Sequence, residues 1–274
     1  MKCLLGVVAA VILCEGCGNN LAGPGGSSLL RPPGDFAALS IDSTHVGLSW
    51  TAPAAAAETT FTGYAVYWGS VSDTLPRSAL QFTAGPLARG ATTFSIRALQ
   101  KGESPSDPAS ITWAPAWRFD AVPITLTEYN SAVPGSTPPG LDVGTASTNP
   151  TALGFGDAGA DSALDFYVYG PAGSALQLLS ASIYSPGWHQ TFISTVTTSS
   201  TDLNAPLLAF PGDNTFTNQT VTLSDNMIYY VKTTGNSGEI YYARLHVHLL
   251  GGDFPSRAIE VRISLQKVSR LPCA

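Results

Sequence analysis

Charged side chains are scarce in this sequence. Asp, Glu, Lys and Arg make up 12% of the 274 residues, whereas glycine and proline number 27 and 20. Serine and threonine recur throughout the chain, and with the glycines and prolines they are typical of strands joined by tight turns. The composition therefore predicts an all-β protein and gives helices little support.

Positive charge is scarcer than negative charge. The chain has 13 lysines and arginines against 19 aspartates and glutamates, which gives a formal net charge of -6. We expect no basic surface that holds a phosphate backbone, so nucleic acid is excluded from the predicted partners.

Catalytic signatures are missing from the sequence. It contains no Gly-x-Ser-x-Gly elbow, no His-Glu-x-x-His pair and no phosphate-binding loop, and we identify no G-x-G-x-x-G loop that follows a strand. It has only 4 histidines, and no suitable nucleophile stands beside one of them. We therefore predict that the protein is not an enzyme.

The N-terminus lacks a hydrophobic run long enough to span a membrane. Lys2 is followed by an apolar run from Leu4 to Leu13, about half of the roughly 20 residues that a transmembrane helix needs. A cationic residue, a short apolar run and then small residues form the layout of a secretory signal. We predict a signal segment over residues 1–17 and a flexible tether, rich in Gly, Ser and Pro, over residues 18–32.

The end of the signal segment, CEGCGNN, resembles a bacterial lipobox. The resemblance implies that Cys17 becomes the lipidated first residue of the mature protein, and Gly16 fits the small position before it. Cys14 and Glu15 depart from the usual pattern, so an ordinary secreted protein cut nearby is the alternative. Either way we expect an exported protein: an outer-membrane or cell-surface lipoprotein that meets the membrane only through its lipid anchor, or a secreted one.

The cysteines do not form a disulfide framework. Cys3 and Cys14 lie in the segment predicted to be removed, which leaves Cys17 and Cys273 at opposite ends of the chain. If Cys17 is lipidated, Cys273 is an unpaired thiol; if it is not, a bridge between the two is the alternative.

Residues His45 to Gly69 show the clearest strand pattern. Large apolar residues alternate with small or polar ones along two short segments, first Val46, Leu48, Trp50 and then Tyr64, Val66, Trp68. A period of two is that of strands with one buried face. Two strands that point aromatic rings into one core are therefore predicted.

Residues 33–116 resemble a fibronectin type III domain. The resemblance is carried by core and turn positions in the expected order: Pro33, Leu39, Trp50, Pro53, Tyr64, Leu87, Gly90, Phe94, Ile96, Ala98 and the turn from Ser104 to Pro108. Thr92 or Thr93 stands where such domains place a corner tyrosine, which is a departure. The resemblance implies an antiparallel sandwich that is used as a spacer, a binding module or a docking unit.

Residues 117–274 are predicted to form a second antiparallel β-sandwich or jelly roll. Short strands separated by turn sequences follow one another from Ser162, whereas Ala132 to Pro150 is predicted to be a long loop without a central strand. The last two strands are expected to pair with their apolar residues inward: Leu245, Val247, Leu249, Ile259, Val261 and Ile263. The predicted fold is thus two antiparallel sandwiches in tandem.

Two tryptophans mark the predicted joint between these domains. Trp113 and Trp117 flank Pro115. Two interpretations stay open, namely that the rings pack the domains together or that they form an aromatic binding surface.

One candidate ligand site lies in the sequence YSPGWHQ. Tyr184, Trp188 and His189 would form an aromatic platform of the kind that stacks on sugars. A tryptophan packed into the core at the start of a strand is the alternative.

A second candidate site is the acidic run GDAGADSALD. Asp157, Asp161 and Asp165 occur four residues apart among small residues, and carboxylates on a glycine-rich loop suit Ca²⁺. Aspartates that cap turns are the alternative.

A third candidate is a pair of histidines near the C-terminus. His246 and His248 are two residues apart on a predicted strand, so both rings project from one face, as a metal or a haem iron requires. The stretch IYYVKTTGNSGEIYYARLHV also resembles the strand pair of HmuY-like haem-binding lipoproteins. A solvated strand face with a pair between His248 and Glu260 is the alternative.

These observations predict a non-catalytic, exported protein of the bacterial cell envelope. Its first domain would be a spacer, and its second domain would contact envelope or extracellular proteins or glycans. We predict no cofactor for this protein, although calcium stays a candidate. The alternative is a ligand carrier whose second domain binds haem, calcium or a sugar.

Overall fold

Strands dominate the chain, as the composition predicts. The computed structural model describes residues 30–129, 139–201, 203, 210–234 and 237–270, with Asp161 described in its backbone only. Within these residues the strands form four sheets, and all of the pairings between them are antiparallel. The predicted fold class, all-β with two antiparallel sandwiches in tandem, is confirmed.

The first sandwich consists of a three-stranded and a four-stranded sheet. The three-stranded sheet has the order β1-β2-β5, with β1 at Gly34–Ser40, β2 at Val46–Thr51 and β5 at Gln81–Ala84. The four-stranded sheet has the order β4-β3-β6-β7, with β3 at Phe61–Trp68, β4 at Val71–Pro76, β6 at Thr92–Gln100 and β7 at Ala109–Trp113. A single 3₁₀ turn at Ala54–Ala57 precedes β3.

The core of the first sandwich follows the predicted alternation. Val46, Leu48 and Trp50 of β2 are buried, and they meet Tyr64 and Val66 of β3 in one hydrophobic cluster. The rings of Trp50 and Tyr64 contact edge to face, with centroids 5.3 Å apart. The period of two therefore identified the inward faces of these strands correctly.

The second sandwich has a five-stranded and a six-stranded sheet. The five-stranded sheet has the order β10-β9-β11-β12-β15, with β9 at Gly140–Asp142, β10 at Thr151–Leu153, β11 at Phe166–Tyr169, β12 at Gln177–Ser180 and β15 at Thr220–Thr222. The six-stranded sheet has the order β14-β13-β16-β17-β18-β8, with β8 at Trp117–Thr127, β13 at Gln190–Ser199, β14 at Phe216–Asn218, β16 at Met227–Thr234, β17 at Ile240–Gly251 and β18 at Ala258–Gln266. Apolar residues from both sheets share one core.

The pairing of the last two strands is as predicted. Leu245 lies opposite Ile263, and Val247 lies opposite Val261. All four side chains are fully buried between the sheets. The register places the polar residues of β17 and β18 on the outer face of the six-stranded sheet.

The prediction of a strandless loop from Ala132 to Pro150 is wrong. Gly140–Asp142 forms β9, an inner strand of the five-stranded sheet that pairs with both β10 and β11. A Cβ atom at Gly140 would lie 2.4 Å from Cδ1 of Leu164. The missing side chain therefore lets a buried leucine pack directly on the strand.

Short helices replace part of the predicted strand pattern. α1 spans Ala160–Ala163, α2 spans Ala181–Tyr184, and a 3₁₀ turn spans Asp213–Thr215. α2 follows β12 at once, so this strand ends at Ser180. The two helices lie beside the site described below.

Hydrogen bonds connect the two sandwiches at Ser40. Its hydroxyl accepts from Nε1 of Trp113 at 3.0 Å and from the Ala116 amide at 2.9 Å, and it donates to the Ala114 carbonyl at 3.2 Å. Nη1 of Arg118, on β8, donates to the Ser40 carbonyl at 3.0 Å. These contacts join the end of β1 to the start of the second domain.

The two tryptophans at the joint have different surroundings. Trp113 is buried in the first core. Trp117 is partly exposed, with Nζ of Lys267 4.5 Å and Cζ of Arg89 5.7 Å from its ring centroid. Within the described part of the chain, neither ring pairs with another aromatic ring, so their contacts favour the packing interpretation.

The described residues hold no helix that is both long enough and apolar enough to traverse a bilayer. Cys17 and Cys273 lie outside the described residues, as do the whole predicted signal segment and nearly all of the predicted tether. The predictions made for them stay predictions.

Candidate functional site

A cluster of five aromatic rings covers part of the outer face of the five-stranded sheet. We refer to Tyr129, Phe155, Tyr167, Tyr184 and Trp188 as the aromatic cluster. Phe166 and Val168 of β11 are in the core, so Tyr167 between them points outward. Tyr167 is only 5% exposed because the other rings cover it.

The rings are in close contact with each other. Phe155 and Tyr184 stack with centroids 4.2 Å apart and an angle of 6° between their planes. Trp188 lies 5.2 Å from Tyr184 and 5.6 Å from Phe155. Tyr129 meets Phe155 edge to face at 4.4 Å. Tyr184 nevertheless stays 46% exposed, so the cluster presents aromatic surface to solvent.

Local turns hold the exposed rings in place. Phe155 lies in the turn after β10, where Oδ2 of Asp157 accepts a hydrogen bond from the Gly154 amide at 2.5 Å. Tyr184 is the last residue of α2. Trp188 closes the next turn by donating its amide to the Ser185 carbonyl at 3.0 Å. Short-range hydrogen bonds thus fix the two turns that carry Phe155 and Trp188.

A buried ion pair lies next to the aromatic cluster. Nδ1 of His189 is 3.0 Å from Oδ1 of Asp165, and both side chains are buried. Oδ2 of Asp165 accepts from the Val143 amide at 2.8 Å, and the hydroxyl of Thr233 donates to Oδ1. Since His189 directly follows Trp188, this network fixes one end of the turn that carries the indole.

A second carboxylate is close to this pair. Burial and the charge of Asp165 raise the pKa of Asp142 to about 6, against the opposing effects of the Gly144 amide and His189. Burial lowers the pKa of His189, but the hydrogen bond and charge of Asp165, the charge of Asp142 and the Ser162 carbonyl together raise it above its usual value. The group as a whole therefore favours a protonated histidine.

The structure brings together part of the predicted sugar platform. Tyr184 and Trp188 are neighbours in the aromatic cluster, whereas His189 is buried and paired with Asp165. The sequence reasoning missed Tyr129, Phe155 and Tyr167 because they come from three other elements. The only local signal was an aromatic residue between two turn-forming glycines, Gly154 and Gly156.

The two predicted calcium ligands whose side chains are described, Asp157 and Asp165, have separate roles. Asp157 is exposed and holds the Gly154 turn, Asp165 is buried against His189, and the side chain of Asp161 lies outside the described residues. Across the described part of the chain, no set of three His, Cys, Asp or Glu side chains is arranged to hold a metal ion. Both visible aspartates act as hydrogen-bond acceptors for the protein itself.

The two histidines predicted for haem have separate partners. Both point to the outer face of β17, as their spacing predicts. His246 is 1% exposed, and its Nε2 lies 3.0 Å from the Ser200 carbonyl. Nδ1 of His248 lies 2.8 Å from Oδ1 of Asp225, although Glu260 is its cross-strand neighbour. The structure gives no support to a shared axial site.

The prediction that no G-x-G-x-x-G loop follows a strand is wrong. Gly154 to Gly159 spells G-x-G-x-x-G, and it follows a strand, β10. The strand has three residues and is antiparallel, and the helix that follows has four residues. A dinucleotide site needs a parallel βαβ unit with a full helix, so this segment is a turn.

The fold and the aromatic cluster define a tandem β-sandwich protein with a partly exposed aromatic surface. No protein-family model matches the chain, and no curated protein does. The chain is similar to a solved structure described as "Titin kinase and its flanking domains", with 11% identity and a TM-score of 0.26. The match covers 87% of this chain and 38% of that chain. A likeness this weak carries no argument.

Proposed function

We propose that this protein is a non-catalytic, exported glycan-binding protein of the cell envelope. The observation that carries the proposal is the stacked, solvent-facing arrangement of Phe155, Tyr184 and Trp188. Exposed aromatic rings held rigidly by their neighbours are suited to bind the apolar face of a sugar ring.

The surroundings of the cluster support a binding surface. Next to Tyr184, Ile183 is 44% exposed, and Tyr169, which also points outward from β11, is 36% exposed. Large apolar residues grouped on one surface are a feature of contact sites. A glycan would cover them while its hydroxyls remained free to bind polar groups.

The tyrosines of the cluster supply such polar groups. Burial, together with the neighbouring Tyr184 hydroxyl, raises the pKa of Tyr129. Burial and nearby tyrosines likewise raise the pKa of Tyr167. Both phenols therefore stay protonated at neutral pH and act as hydrogen-bond donors as well as acceptors.

The proposal assigns the first sandwich the role of a spacer of the fibronectin type III kind. Its three-stranded and four-stranded sheets, with the order β1-β2-β5 facing β4-β3-β6-β7, support this assignment. The secretory layout of residues 1–17 supports export, and Cys17 is the proposed site of a lipid anchor. Intact mass of the mature protein tests the anchor: acyl chains on Cys17 are expected, and an unmodified N-terminus elsewhere contradicts it.

A glycan array with the mature protein tests the binding function. We expect selective binding to a limited set of glycans and a loss of about tenfold or more in affinity for Tyr184→Ala and for Trp188→Ala, because each removes a stacking surface. Tyr67→Ala is the matched control, since Tyr67 is a 37% exposed tyrosine of the first domain. No binding by wild type, or equal binding by all variants, would overturn the proposal.

A further inference from the structure

The outer face of the six-stranded sheet carries a row of four side chains that the proposed function does not use. Tyr230 on β16 lies opposite Arg244 on β17, which lies opposite Ser264 on β18, which lies opposite Arg118 on β8. Residues directly opposite in neighbouring antiparallel strands have Cβ atoms about 5 Å apart on the same face. The row is therefore continuous across four strands.

Arg244 is a buried cation with few partners. It is 2% exposed. Its Nη1 donates to the Leu203 carbonyl at 3.3 Å, and its Cζ lies 5.6 Å from the centroid of the Tyr230 ring. Among the residues that the structure describes, neither Nε nor Nη2 has a hydrogen-bond partner. These two atoms form one edge of the guanidinium group, the edge that binds an oxyanion with two parallel hydrogen bonds.

Ser264 adds a hydroxyl on the neighbouring strand, directly opposite Arg244. It is 2% exposed, and within the described part of the chain its Oγ has no hydrogen-bond partner. Three polar atoms on two side chains of neighbouring strands are thus buried on one face without a hydrogen-bond partner among the described residues. Buried polar atoms are nearly always satisfied in folded proteins, so a partner outside the described side chains is expected.

The surroundings of Arg244 disfavour its positive charge. No described carboxylate contacts Arg244; the nearby Arg118 is paired with Asp120. Burial, and in part the charge of Arg118, lowers the pKa of Arg244 despite the opposing effect of Tyr230. A buried charge without a counter-charge is strongly unfavourable, whereas an anion held by charge-assisted hydrogen bonds would offset that cost.

We propose that a small inorganic oxyanion, of the phosphate or sulfate type, binds between the free edge of Arg244 and the hydroxyl of Ser264. The burial of both side chains restricts the ligand to a small ion. The planar fork and the added hydroxyl favour an ion with several oxygen atoms over a spherical halide. The site lies on the sheet opposite the aromatic cluster, so it is independent of glycan binding.

Thermal unfolding of the full mature chain, dialysed extensively into a phosphate-free and sulfate-free chloride buffer, tests this site. Adding phosphate or sulfate at constant ionic strength should produce a saturable rise of about 5 °C in the Tm of the second domain. The response should be absent in Arg244→Met, which keeps the length of the apolar stem. Arg77→Met, at an exposed arginine of the first domain, is the matched control and should respond as wild type does.

Ser264→Ala keeps the proposal falsifiable if Arg244→Met does not fold. This variant should bind phosphate about tenfold more weakly, as measured by the concentration that gives half of the Tm rise. A non-saturating rise that is equal in wild type and both variants would show only a general salt effect and overturn the proposal. No rise above the chloride baseline with either phosphate or sulfate would overturn the oxyanion assignment.

Discussion

Beside the aromatic cluster, the local surroundings of each polar residue determine its hydrogen bonds and its charge. His189 and Asp165 are separated by 24 residues in the chain, yet they form a buried pair in which the carboxylate also accepts from a backbone amide. Asp142, close to the same pair, is held in a place that disfavours its charge. A histidine that sequence reasoning assigns to a ligand surface is therefore part of the support beneath that surface.

Asp142→Asn is expected to stabilise the second domain at neutral pH. The pKa of Asp142 is raised from 3.8 to about 6, so between these values the folded state binds more protons than the unfolded state, and stability falls as pH rises. Asparagine keeps the oxygen that accepts from the Gly144 amide but carries no charge. We expect a gain of about 1–2 kcal/mol at pH 7.5 and almost none at pH 4.

Urea unfolding at pH 4, 5, 6 and 7.5 measures this difference. Asp253→Asn, which removes an exposed carboxylate of the same domain, controls for the general effect of losing a negative charge. A variant that is less stable than wild type at pH 7.5 would show that protonated His189 stabilises the charged form of Asp142, and the prediction would fail.

At the scale of elements, the core-facing sides of the long strands were predictable from the sequence. The existence of the short strand β9 was not. The alternation in β2, β3, β17 and β18 identifies the side of each strand that faces the core, because successive side chains point to opposite faces of a strand. β9 has only three residues and includes a glycine, so it has no such pattern. Its place between β10 and β11 comes from pairing on both sides.

Gly140→Ala is expected to destabilise the second domain. The new Cβ would lie 2.4 Å from Cδ1 of Leu164 and 3.1 Å from the carbonyl oxygen of Leu153. To relieve the contact, the buried side chain of Leu164 would have to shift within the core, because pairing on both sides fixes the backbone of β9. A loss of about 1–3 kcal/mol is expected from this overpacking.

Differential scanning calorimetry compares this variant with Gly187→Ala. Gly187 has no heavy atom within 4 Å of the position where a Cβ would be placed, so that control should differ from wild type by less than about 0.5 kcal/mol. Equal effects of the two substitutions would mean that β9 is not packed as described.

At the scale of the whole molecule, the two sandwiches are joined by polar contacts and by packing. Ser40 links β1 to the segment before β8 and, through its carbonyl, to Arg118. Nε2 of Gln266 on β18 donates to the Pro115 carbonyl at 3.3 Å. Phe210, from the second domain, packs on the hydrophobic clusters of both domains. Polar contacts and apolar packing thus both connect the sandwich that carries the aromatic cluster to the first sandwich.

Ser40→Ala is expected to loosen this joint. The side chain is fully buried, and its loss leaves the indole N–H of Trp113 and the amide of Ala116 without their acceptor. Each buried donor left unsatisfied costs about 1–3 kcal/mol. We therefore expect a Tm that is lower by several degrees and faster protease cleavage at Ala114 to Ala116.

Ser110→Ala provides the comparison for this variant. Ser110 is an exposed serine on β7, so its replacement should change neither the Tm nor the cleavage rate. Unchanged cleavage in Ser40→Ala would show that packing alone, including that of Phe210, holds the two domains together.

The sequence by itself determined the all-β class, the tandem sandwiches and the inward faces of the long strands. These properties depend on composition and on a period of two, which are local. Only the tertiary structure decided that Phe155 stacks on Tyr184 and that His189 is buried against Asp165. It also decided that Arg244 and Ser264, on neighbouring strands, are both buried. Those contacts join side chains from distant segments, and no periodic pattern in the sequence specifies which distant segments will pack together.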